Sequence, residues 1–179
     1  PMQTKPSMMD IRSLLTNLPS REERALYIDA VGTSRKEVSA LLFMIFEEKD
    51  PIAWRAAWIL YGSDELHPGL VGDRITGIIR KLPDLESAGA LRSLLRMLCR
   101  YEIPEEEQGL LIDLCFSYLV SEFYPVAVKA HAMQIIYQHV LLYPELKHEL
   151  TTILRDQAEN NSVGFKSRGN RLIKQMEKL

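Results

Sequence analysis

Four copies of one short pattern recur at constant spacing, and that recurrence limits the possible folds more than any other feature of the chain. The segments are IAWRA at 52–56, GALRS at 89–93, VAVKA at 126–130 and VGFKS at 163–167. Each has a small residue (Ala53, Ala90, Ala127, Gly164), then an apolar one (Trp54, Leu91, Val128, Phe165), then a cation and another small residue. The cations are Arg55, Arg92, Lys129 and Lys166, and 92 − 55, 129 − 92 and 166 − 129 are each 37. The segments upstream keep the same period for three copies: Leu41, Ile78 and Cys115, then Leu42, Ile79 and Phe116, then Ile45, Leu82 and Leu119. A fourth upstream segment, with Leu146, Leu150, Ile153 and Leu154, drops out of phase because the loop after it, around Glu159 to Ser162, is longer. A repeat of this length holds one pair of helices, which cannot bury its apolar faces alone, so neighbouring pairs must stack into a continuous core.

Local signals agree. Strand-like alternation is nearly absent, whereas helix-start chemistry is dense. Ser20 with Glu23, and Ser34 with Glu37, have capping-box spacing. Pro51, Pro104, Pro125 and Pro144 each precede a helical pattern, where a missing N–H costs nothing. Apolar periodicity predicts helices at about 8–18, 20–31, 35–49, 51–62, 68–82, 86–101, 105–121, 125–142, 144–158 and 164–178. The expected connections are short and no Gly/Ser-rich or Pro-rich linker divides them, so residues 1–179 read as a single domain. It comprises a helical cap at 7–33 and four helix pairs over 34–179.

On these residues the chain resembles the HEAT/armadillo class of α-solenoids. DPIAWRAA at 50–57 is similar to the HEAT signature, in which Asp-Pro opens the second helix and an Arg lies five residues after the Asp. Only this copy carries the full motif: the equivalents of Asp50 are Ser87, Tyr124 and Asn161. The resemblance implies an all-α fold, a right-handed α-α superhelix, and cations that bond loop carbonyls or helix ends of adjacent repeats. A cationic stripe for an anionic ligand is the competing reading of that column.

Composition narrows the function classes. With 46% hydrophobic and 26% charged residues, the chain is in the globular range. Its longest apolar run, Ala40 to Phe46, is far too short to span a bilayer, so no membrane role is expected. Without the pattern of a secretory signal, a cytoplasmic location is expected. A net charge of −2 gives no general attraction to phosphate, so nucleic acid is not the expected partner. Cys99 and Cys115 lie in apolar helical stretches and read as reduced core thiols.

Chemistry is not evident. His67, His131, His139 and His148 form no metal-ligand spacing, and no GxGxxG, GxxxxGK[ST] or GxSxG occurs. No cofactor and no catalysis are expected. Glu102, Glu105, Glu106 and Glu107 straddle a helix start, where carboxylates favour the dipole and face water. Trp54 and Trp58 share a helix face and fall on the columns of Leu91 and Leu95, which marks them as core.

In HEAT-like solenoids the second helix of each pair lines the concave surface. The positions five and eight after each cation are then expected to face outward: Leu60, Met97, Gln134 and Arg171, then Ser63, Arg100, Tyr137 and Lys174, flanked by Arg96 and Asn170. Toward the C-terminus this face gathers Lys166, Arg168, Arg171, Lys174 and Lys178 against Glu177. A solvated capping helix accounts for that charge; an acidic or phosphate-bearing partner is the alternative. The function expected is a non-enzymatic protein-interaction or scaffold module, binding a protein or peptide through Arg96, Arg100, Gln134, Tyr137, Arg171 and Lys174. The alternative is a nucleic-acid-binding HEAT-like protein related to DNA alkylation-repair glycosylases.

Overall fold

The structure is a computed structural model that describes residues 11–13 and 15–179. Of the helix expected at 8–18, residues 8–10 and Leu14 lie outside the described residues, as does the start of the expected cap. Among the described residues every regular element is helical. Contacts divide the chain into two compact units, Pro1–Met97 and Leu98–Leu179.

The first unit holds α1 (Arg21–Val31), α2 (Arg35–Glu47), α3 (Ile52–Leu66), α4 (Ile75–Lys81, between short 3-10 turns Gly72–Arg74 and Leu82–Asp84) and most of α5 (Ala88–Leu98). α2 packs along α3, and α1 lies against α3 as well. Serine starts the first two helices. Ser20 and Glu23 complete a reciprocal capping box, while the Ser34 hydroxyl accepts the Glu37 N–H. Gly32, at φ +52°, ends α1 in a backbone conformation that a side chain would strain. Where one helix was expected at 68–82, Pro68 and Gly69 (φ +91°) bring a turn, and α4 is left only two turns long.

The second unit holds α6 (Glu105–Val120), α7 (Val126–Val140), α8 (Leu146–Ala158) and α9 (Val163–Met176). α6 packs on α7, α8 on α7, and α9 on both α8 and α7. Pro104 and Pro125 precede α6 and α7, and three acids, Glu105 to Glu107, occupy the first turn of α6. Ser162 caps α9 by accepting the Phe165 N–H.

The repeat columns are the core. Leu41, Ile78 and Cys115 are buried, as are Ile45, Leu82 and Leu119. In the column of Leu42, Ile79 and Phe116 only Ile79 is buried, and its neighbours are half-exposed. Polar bonds about one repeat apart join successive pairs. Ser87 Oγ donates to Asp50 Oδ1 at 2.7 Å across a separation of 37 residues, so the two equivalent positions bond each other directly. The same serine oxygen accepts the Ala90 N–H at the start of α5. In the second unit Gln138 Nε2 donates to the Cys99 carbonyl at 2.9 Å, and Tyr143 OH to Gln108 Oε1 at 2.5 Å.

Candidate functional site

The second helices carry the face on which recognition residues were expected, and α3 departs from that expectation. Leu60 and Ser63 are fully buried rather than outward, together with Ala53, Ala56 and Ala57. Trp54 and Trp58, expected in the core, are instead half-exposed. The reason is that α3 is apolar around its whole circumference, so its periodicity does not mark the buried side. Small residues decide it: Ala53, Ala56 and Ala57 make the side that the core can approach most closely.

The opposite side of α3 carries Trp54, Trp58, Tyr61 and Gly62. α1 covers part of it, because a Cβ at Gly62 would overlap the side chains of Ile28 and Arg24. Arg24 lies over Trp58, 4.4 Å from guanidinium carbon to ring centroid, and its Nη2 donates to the Trp58 carbonyl at 2.8 Å. Burial pulls the Arg24 pKa below its ordinary value, opposed by the nearby Glu65. Arg96, exposed on α5, stacks 4.6 Å above the Tyr61 ring, and Tyr61 OH donates to Glu65 Oε1 at 3.0 Å. Met97 is fully buried, contrary to its expected outward position.

In the second unit the expected columns do reach the surface. Gln134 and Tyr137 lie half-buried on α7, while Asn170, Arg171 and Lys174 are exposed on the neighbouring α9, whose Phe165, Leu172 and Met176 are buried. Among the described residues no carboxylate pairs with Arg171 or Lys174. Arg100 is exposed beyond the end of α5. Arg168 comes close enough to Cys99 to favour its thiolate, as Arg100 does, yet burial dominates and raises the thiol to about 11. Cys115, fully buried, is raised well above the ordinary thiol value by the same cause. Both cysteines are free thiols.

The cation column divides. Arg55 Nη1 donates to the carbonyls of Leu15 and Thr16 at 2.9 and 2.8 Å, which is the bonding to a preceding chain turn that the resemblance implies. Lys129 is buried, whereas Arg92 and Lys166 are exposed. Of the acids at the start of α6, Glu102, Glu105 and Glu106 face water, but Glu107 is buried, a correction to the expectation for that cluster. Its position on the inner side of the first turn outweighs its charge. His139 is buried with Nδ1 2.8 Å from the Ile135 carbonyl. Among the described residues no group of three or more His, Cys, Asp or Glu is placed to hold a metal ion, and no helix is long and apolar enough to cross a membrane.

Sequence reasoning missed Arg24 and the Arg96–Tyr61–Glu65 arrangement. Arg24 lies in the cap, outside the 37-residue register, so no repeat column pointed to it. A model of the HEAT repeat domain matches residues 11–176 of the chain. No curated protein and no solved structure matches it.

Proposed function

Because the chain belongs to the HEAT repeat domain family, we propose that it is a non-catalytic scaffold that holds an acidic segment of a partner protein against its second helices. One observation carries the reading: Arg171 and Lys174 stand exposed on α9, without ion pairs among the described residues, and α9 packs against the helix bearing half-buried Tyr137 and Gln134. Arginine offers a fork of donors for carboxylates, and a tyrosine ring gives contact area at small entropic cost. Arg100 and Arg168 of the same unit both lie near Cys99. The first unit by itself presents an exposed cation, Arg96, stacked on Tyr61. Two free thiols suit a reducing, cytoplasmic setting. The 37-residue register, unbroken from Arg55 to Lys166, supports reading the chain as one domain.

The test is reversal of charge. Proteins captured from the native cell by the wild-type chain are identified and then challenged with the Arg171→Glu, Lys174→Glu double variant. Capture of the specific partners is expected to be lost, while stability changes by no more than about 0.5 kcal/mol because both side chains are exposed. Retention of every partner by a folded double variant defeats the proposal.

A further inference from the structure

A groove on the first helices of the first unit has no place in that reading. It lies between α2 and α4 and encloses about 360 Å³. Its walls are apolar: Leu42, Phe43 and Phe46 from α2, with Ile78 from α4. Phe43 is 62% exposed, an unusual state for a phenylalanine on a helix whose Val38, Leu41, Met44 and Ile45 are buried.

Gly77 explains why the groove is open. It sits in the middle of α4, its φ is not positive, and a Cβ built there would meet nothing within 4 Å. A glycine at such a position weakens the helix, and here neither a turn nor an internal contact requires it. The equivalent positions one repeat away are Ala40 and Leu114, so the other copies carry a side chain where α4 has none. What the glycine provides is a stretch of bare helix backbone on the groove floor, accessible from outside.

We propose that this groove docks an amphipathic helix of a partner protein, small and apolar on the buried face and acidic on its flanks. The helical form follows from the host. The groove is walled by helices, so no strand edge is offered to an added strand and recognition rests on side chains packed into an apolar furrow. The acidic flanks follow from the rims. Arg74 and Lys81 both line the groove and lie two turns apart on α4 and its leading turn. Lys81 also lies 5.4 Å from the Phe46 ring centroid. Its bond to Glu47, 3.2 Å long and half-exposed at both ends, is weak enough for a partner carboxylate to replace. The single acid in the lining, Asp73, is already engaged by Arg35 and Arg74. A second copy of this chain is the poorer occupant, since groove against groove sets Arg74 and Lys81 of each copy against those of the other.

The test titrates the 15N-labelled full chain with a synthetic helical peptide of about three turns, with Leu and Ala on one face and Glu on both flanks. The Gly77 amide and Phe43 ring resonances are expected to shift together and saturate. Gly77→Leu fills the floor from a position where an added Cβ meets no neighbour, and it is expected to weaken binding at least about tenfold, with Gly77→Ala between it and the wild type. Exchanging the peptide's Glu for Lys is expected to weaken binding by a similar factor. Circular dichroism keeps both variants honest, since each should be at least as helical as the parent. The proposal is overturned by the absence of saturable binding, by shifts elsewhere than the groove, or by equal binding to Gly77→Leu or of the Lys peptide. It is also overturned if Gly77 and Phe43 shift with protein concentration alone, which assigns the groove to a second copy.

Discussion

Trp58 shows how a single side chain can be read correctly as helical and wrongly as core. It shares a register column with Leu95, which is fully buried, yet Trp58 remains half-exposed beneath the guanidinium of Arg24. Trp58→Ala therefore loses partial burial and one cation–π contact, not a filled core site. The expected cost is about 1–3 kcal/mol in urea denaturation, below the roughly 3–5 kcal/mol of a fully buried tryptophan. A loss in the upper range would show that the ring is sealed from water by α1. Cys99 gives a residue-scale pH prediction. Its folded thiol is raised to about 11 from an ordinary 9.0, so the folded chain holds the proton more tightly than the unfolded one. The stabilisation from this group is complete below pH 9 and is lost as pH rises through 11. Cys99→Ala should show a shallower decline in melting temperature across that window, and the wild-type thiol should resist iodoacetamide at pH 8 until urea unfolds the protein. Rapid alkylation of the folded chain at pH 8 would contradict the burial that raises the thiol.

Helix termini were the most legible elements, because capping is a local matter of a few backbone donors. The acid three residues later marks Ser20 and Ser34: Ser20 and Glu23 complete the box, whereas at Ser34 only the serine half of the box forms. Ser162 escaped notice since Phe165, not an acid, stands at that spacing, although its hydroxyl caps equally well. Contacts between elements were less legible. Ser87 stands one repeat after the Asp of the signature, and its hydroxyl bonds Asp50 directly. That bond spans two elements in sequence and only 2.7 Å in space. It predicts a coupling: Asp50→Ala and Ser87→Ala should each destabilise, and the double variant should cost less than their sum by about 0.5–1.5 kcal/mol. Strict additivity in a double-mutant cycle would mean that each residue serves only its own helix start. The interior of α3 was illegible for a different reason. With Trp54, Trp58, Ile59, Leu60 and Tyr61 spread around it, no single apolar stripe exists to read.

At the scale of the whole molecule, the weak net charge of −2 bears on the alternative of nucleic-acid binding. The cations of α9 are a small local group, too few for strong retention against counterions. Duplex DNA is accordingly expected to show no binding at about 0.15 M salt in the micromolar range, measured by fluorescence anisotropy. Saturable binding there, with a salt slope corresponding to several phosphate contacts, would move the alternative to first place. The all-helical class, the pairing of helices and the 37-residue unit were determined by the sequence alone, because a periodic demand for burial repeats wherever the residues repeat. Which side of α3 is core, the burial of Met97 and Glu107, and the open floor at Gly77 were decided only by tertiary structure. Each depends on which neighbour reaches that side and how closely it can approach. That is a property of packed volumes brought together from distant parts of the chain, and no pattern along one helix encodes it.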